Sequence, residues 1–483
     1  MDQGHCGLDL ADQKHNTILG EFMSPSIAEL TGQGKKLRGS LPRAAQADFA
    51  ALDRDPVSIL QDQNRSRLPE LVPVRIGRML QSPFAYYRGT ASVMAADLAQ
   101  NQHTGVLLPS CGDAHISNFG LFASAERQLI FDLNDFDEAG LAPWEWDLKR
   151  LAASVMVGAR DNSMSEQQAT SATRSAVAGY RQTLLRLMAL TALERYYFQV
   201  NTDGVQDQLN SDEQKLLRKA SQKARGRTSE QVLGKIVARH EDGVSRIVDQ
   251  PPIMRHVPHA EPHEFARLFQ EYSSTVRSDI AVLLQQFTLV DYVLRVVGVG
   301  SVGTRCYVML LEGPAGEPLF LQAKEAPPSV LQVYGGMPNG LPPGVDPHRG
   351  GSEGHRVVAN QKILQASSDP FLGWIQGFAG DDDDRRRVDY YWRQFRDMKG
   401  SVETNGLSAA NFTSYVEWCA RLLARAHSQT GAGAVAAGYL GRSERFDEAI
   451  VAWSASYADQ CEKDYAALQS AVKTGRMPAE FGV

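Results

Sequence analysis

The chain has 483 residues, 43% of them hydrophobic and 22% charged, with a formal net charge of -6. That is ordinary globular composition, with length enough for roughly two to four cores. The acidic balance leaves no global positive field for nucleic acid, so no such partner is expected. Five cysteines (Cys6, Cys111, Cys306, Cys419 and Cys461) are scattered without a CxxC pair. This argues against a zinc cage or a disulfide framework and fits a reducing compartment. The first residues lack the basic start and apolar stretch of a signal peptide, and no stretch is apolar for long enough to span a bilayer. The expectation is a cytoplasmic protein with no membrane partner.

In chain order, residues 1–70 are polar and read as an irregular extension with weak helical patches. Residues 71–290 read as a large helical lobe. Within it lie a loop at 108–120, a short strand at 129–133, an acidic turn at 134–138 and a helix over 147–160. Asp147 opens that helix, where it can cap free N–H groups. The Trp144/Trp146 pair reads as core, and the basic stretch 215–227 as a solvated helix face. Residues 291–400 read as a small antiparallel β lobe, with strands at 292–299, 305–311, 319–324 and 389–398. A glycine turn covers 298–303. A Pro/Gly-rich connection at 327–354 precedes a helix at 355–365, and 381–387 reads as an exposed turn. Residues 401–483, with amphipathic helices at 411–428 and 444–470, complete the large lobe.

Three clusters carry chemistry. Asp113 and Asn118 lie five residues apart on one loop and can face a common point. The carboxylate can take a proton from an attacking hydroxyl, and the amide oxygen can hold a metal. Gly112 permits the tight turn beside them. His115, in the same loop, reads as part of this machinery through hydrogen bonds. No second His or Cys stands at ligand spacing to make it a metal ligand. Asp135, just after an apolar strand, suits Mg²⁺, a hard cation that takes oxygen ligands. Asp137 and Glu138 add acidity. Gly298, Gly300, Ser301 and Gly303 form a GxGxxG segment between two strands, the context of a flap over nucleotide phosphates rather than a dinucleotide fingerprint. Lys324, on the third strand, is costly to bury unless it pairs with phosphates. Arg88 either braces a carboxylate or lies on a surface helix. Arg396 and Lys399 read as a solvated strand edge, with a phosphate contact as the alternative.

The runs CGDAHISNFG and LIFDLNDFDEAGLAPWEWDLKRL are similar to the catalytic loop and metal-binding segment of aminoglycoside-phosphotransferase-like kinases. With FAYYRGTA, VGVGSVGTRCYVMLLEG, LFLQAKEA and RQFRDMKGS, the chain more specifically resembles the bacterial family named domain of unknown function 2252, over roughly residues 70–470. The resemblance implies a two-lobed, protein-kinase-like α+β fold that binds ATP and Mg²⁺. Asp113 would be the base, Asn118 and Asp135 the metal ligands, and Asp147 a brace for the catalytic loop. The order is inverted, since the glycine segment and Lys324 follow Asp135, so a circular permutation is implied. Cys111 stands where such kinases usually have His. Helix 355–365 lacks an obvious Glu for Lys324; Glu353 is the nearest candidate, and Glu325 alternates to the other strand face. The expected activity is phosphoryl transfer from ATP to an unknown hydroxyl acceptor, by analogy a small molecule. The alternatives are a nucleotide-binding pseudokinase, a nucleotidyl transferase on the same fold and, less favoured, an NAD-dependent oxidoreductase.

Overall fold

Helix Trp144–Asp161 is buried on every face from Trp144 to Ala159, because other helices surround it. Glu166–Leu187, Ala409–His427 and Arg445–Lys473 pack around it. The shared core includes Leu148, Leu151, Val155, Tyr180, Val416 and Trp453. Trp144 is fully buried and stacks on Tyr180, so it is core as expected. In this computed structural model the described residues are 25–49, 53–200, 211–227, 229–239, 245–256, 262–296, 298–341, 351–379, 386–395 and 398–482. Most of the turn expected at 381–387, and Arg396, fall outside them. Among the described residues no helix is long and apolar enough to cross a membrane.

Residues 25–49 and 53–71 are not the irregular extension expected from their polarity. Helix Ile27–Ser40, with a Ser26/Glu29 capping box, packs on Ala432–Leu440. Arg54 reaches Asp97 (2.6 Å) and Asp464 (2.7 Å) from a nearly buried position. Polar sequence misled here because its charges pair inward across 43 and 410 residues of chain.

The second half of the fold is a six-stranded antiparallel sheet. Its order is Gly373–Ala379, Arg386–Gln394, Pro318–Glu325, Cys306–Glu312, Thr288–Arg295 and Met254–Arg255. The strands at the two edges of this order were not expected. The first expected strand lies earlier than 292–299, because Gly298 (φ +67) cannot continue an extended ladder. The fourth ends at Gln394 rather than 398. The sheet is covered on both faces, so its strands alternate between two cores. Met309, Leu311, Leu319 and Leu321 meet Tyr272 of helix Pro262–Ser273, while Val308, Leu310 and Phe320 meet Val232 and Ile247. Period two then puts Gln322 and Lys324 on the face of Phe320, toward the helical half. The chain is thus a mixed α+β fold with antiparallel sheets.

Removing one partner of a buried ion pair strands the others. Arg54→Met should lower stability in urea unfolding by about 3 kcal/mol, while Arg65→Met, whose exposed pair with Asp62 is screened by water, should leave the midpoint unchanged.

Candidate functional site

Two short pairings set the site. Leu107–Ser110 pairs with Gly140–Pro143, and Phe119–Ala123 pairs with Leu129–Leu133. The loop 111–118 and the acidic turn 134–139 are therefore held face to face at both ends. The approach is close: a Cβ on Gly112 (φ +79) would lie 2.2 Å from the Glu138 carbonyl oxygen. Asn118 stitches the two segments together. Its Nδ2 donates to the carbonyls of Asp113 (3.1 Å) and Asp135 (3.0 Å), and its Oδ1 accepts from the Asp135 N–H (2.7 Å). Cys111 is buried and joins the same seam, its thiol facing the Asp135 carbonyl.

Asp147 does not cap its own helix, which starts at Trp144. Instead its carboxylate accepts the N–H groups of Cys111 (2.6 Å) and Gly112 (2.9 Å). His427, held by the Tyr180 hydroxyl, backs Asp147 at 3.2 Å. Asp113 is gripped by Arg150, whose Nε lies 2.8 Å from Oδ1 and whose guanidinium stacks 3.9 Å over the Tyr87 ring. His115 Nε2 lies 3.8 Å from Asp113 Oδ2, and His115 Nδ1 is buried without a hydrogen-bond partner.

From the sheet side, Lys324 is 4% exposed and places its Nζ 3.0 Å from Asp137 and 3.4 Å from Asp135. Its partner is therefore neither Glu353, which pairs with Arg356, nor Glu325, which pairs with Arg305. Asp137 also accepts from Tyr391 (2.5 Å) and Ser301 (3.1 Å). Register explains the grouping: Lys324 lies opposite Tyr391 and Gln322 opposite Arg393, all on one face of the sheet. Arg356 fastens helix Glu353–Leu364 to the acidic turn through the carbonyls of Asp137 and Ala139.

These groups surround a cavity of 420 Å³. Of the residues singled out in the sequence, Arg88, Asp113, His115, Asn118, Asp135, Gly298, Gly300, Ser301 and Lys324 line it. Gly303 does not; its φ is +89 and it packs against the Arg67 stem. Asp137 and Asp147 stand behind the wall as braces. The glycine segment is docked rather than loose: Arg78 donates to the Gly298 carbonyl, Arg67 to Val302, and Leu68 N–H to Gly303.

Burial disfavours the charge on Asp135, but Lys324, Arg393 and Lys399 outweigh it and hold the carboxyl well below its usual range. Burial likewise opposes the Lys324 ammonium, yet Asp135 and Asp137 hold its pKa well above the ordinary value. Lys399, read from sequence as a solvated edge, lines the cavity, where burial and Arg393 push it down to about 7. Arg150, Gln322 and Arg393 lie within the runs quoted above but were given no role there, and His427 lies outside them. A faint signal for Arg150 was its place one helical turn after Asp147.

Among the described residues no group of three or more His, Cys, Asp or Glu could hold a metal alone. Mg²⁺ needs no such cage, since it keeps waters and takes substrate phosphates around one or two carboxylates. The ionised Asp135, with 45% of its side chain turned to the cavity, and the remaining lone pair of Asn118 Oδ1 fit that coordination.

A family model described as an uncharacterized protein conserved in bacteria (DUF2252) matches residues 67–471. No curated protein and no solved structure matches the chain.

Burial, with Arg88 and Arg150 adding to it and Asp113 opposing, pushes His115 down from 6.5 to about 3, so it is neutral in the fold. The stability this contributes is present above pH 6.5 and is lost as pH falls toward 3, because the unfolded chain takes up the proton first. Between pH 7 and pH 5 the native protein should lose about 2 kcal/mol that His115→Gln does not lose, read from denaturant midpoints at the two pH values.

Proposed function

The chain belongs to the bacterial family DUF2252, and from the geometry of its cavity we propose that it is an ATP- and Mg²⁺-dependent phosphotransferase acting on a hydroxyl acceptor, with a two-lobed, kinase-like architecture in circularly permuted order. One observation carries this reading. Permutation demands that Lys324 return to Asp135 across 189 residues of chain, within a nucleotide's length, and the two are 3.4 Å apart. The glycine segment joins two antiparallel strands and lines the same cavity, which favours a phosphate cover over a dinucleotide fingerprint.

In this reading Lys324, Arg393 and the backbone of 298–301 orient the phosphates. Asp113, held in one rotamer by Arg150, receives the proton of the acceptor hydroxyl as its oxygen bonds to the γ-phosphorus and the bond to ADP breaks. Asp147 and His427 keep the loop carrying Asp113 rigid, and such positioning is where phosphoryl-transfer sites gain most of their rate. Mg²⁺, held by Asp135 and Asn118, would neutralise the charge on the transferring phosphates. A second reading, a nucleotide binder without turnover, is favoured by the Arg150 guanidinium, which already occupies Asp113 Oδ1 at 2.8 Å.

Melting temperature with ATP and Mg²⁺ is the test, since a ligand of the folded state alone raises it by mass action. Wild type should be stabilised, and Asp135→Asn should lose the metal-dependent part. Asp113→Asn should keep the ATP shift and lose about 10²–10⁴-fold of any turnover. Stabilisation without phosphate transfer would select the second reading, and no response to millimolar ATP would remove both.

A further inference from the structure

The cavity wall carries six cationic side chains, Arg88, Arg227, Arg295, Lys324, Arg393 and Lys399, against three carboxylates, Asp113, Asp135 and Asp369. Three of the cations cluster around Asp135, and their fields reach it. Arg88 is elsewhere, at the end of helix Pro83–Gly89 and beside the loop that carries Asp113. Its Nε is buried and has no hydrogen-bond partner. The nearest anion, Asp113, is already bonded to Arg150. Burial lowers the pKa of Arg88, with Asp113 the one group opposing. Arg88 as a whole is half-buried, but a donor shut off from water without an acceptor is costly, and a ligand oxygen that accepts from it removes that cost. His115 shows the same signature across Asp113, with a buried, unpartnered Nδ1 on the cavity wall. A third such atom on the wall, Arg295 Nε, belongs to a guanidinium that lies over the Phe395 ring on the sheet side. The two beside Asp113 flank the proposed base, and a ligand that meets both sits where the acceptor would.

We infer that the acceptor carries an anionic group, a phosphate or a carboxylate, and that Arg88 with His115 binds it beside Asp113. This rests on the phosphotransferase reading for the word acceptor. The anion site itself rests on Arg88 and His115 alone. A guanidinium fork matches either oxyanion by paired N–H donors. The cationic wall also turns away the amine-bearing acceptors that the aminoglycoside analogy suggests.

The test uses the full chain and matched hydroxyl probes: glycerol 3-phosphate, glycerate, glycerol and ethanolamine. Melting temperature is read with and without ATP and Mg²⁺, in wild type, Arg88→Gln and Lys324→Met. Glycerol 3-phosphate or glycerate should raise the wild-type value by about 2 °C or more at saturation, and the stronger of the two identifies the anion. Glycerol and ethanolamine should not. The shift should vanish in Arg88→Gln and persist in Lys324→Met. Ligand-free Arg88→Gln should melt no lower than wild type, since an uncompensated charge is removed; a lower value would mark Arg88 as structural and overturn the site. A shift lost in Lys324→Met but kept in Arg88→Gln would place the anion with the nucleotide phosphates, and equal shifts from all four probes, or none, would also overturn the inference. An Arg88-dependent anion shift in a protein that ignores ATP would sink the phosphotransferase reading and leave the anion site standing.

Discussion

A lysine ammonium moved from water into a protein interior costs several kcal/mol unless an anion goes with it. Lys324 is 4% exposed, and its anions are Asp137 and Asp135, 187 and 189 residues earlier in the chain. That pairing obliges the sheet to close on the acidic turn. Tyr391 and Ser301 converge on the same Asp137 carboxylate, so a second strand and the glycine segment are drawn to the same point. The knot adds to the anchors that Arg67, Leu68 and Arg78 make to the glycine segment and to helix Glu353–Leu364 in holding the sheet over the cavity.

The lower wall depends on a different economy of contacts. Two strand pairings bring the loop 111–118 against the turn 134–139, and the Asn118 amide spends three hydrogen bonds keeping them there. Asp147 then accepts the backbone N–H groups of Cys111 and Gly112. The result is two carboxylates, Asp113 and Asp135, fixed on neighbouring loops with cations arranged above them. The proposed metal-bound nucleotide would meet a preorganised, oppositely charged pair of walls there, with no side chain having to move far.

The glycine segment shows how local chemistry and tertiary packing divide the work. Its pattern marks a sharp backbone path between strands, and Gly298 and Gly303 do adopt positive φ. Yet the loop is anchored by Arg67, Leu68 and Arg78, residues expected to be partly an extension and partly the edge of a helical lobe. Gly303 is there for packing against Arg67, while Ser301 braces Asp137. Position within a motif therefore did not decide role; which neighbours the fold supplied did.

By itself the sequence determined what is local. The helices at 409–427 and 445–473, the strands at 306–312 and 318–325, and the loop holding Asp113 and Asn118 are legible from periodicity, glycine placement and turn chemistry within a few residues of each other. It also marked Asp135 and Lys324 as residues that need partners. Tertiary structure alone decided which partners. Arg150, Arg393, Lys399 and His427 acquire their roles from groups on other elements, and the polar stretch 53–71 becomes part of the body through Arg54, Asp97 and Asp464. A side chain's charge is written in the sequence; the field it stands in is a sum over space, and most of the charges that set it here lie tens to hundreds of residues away along the chain.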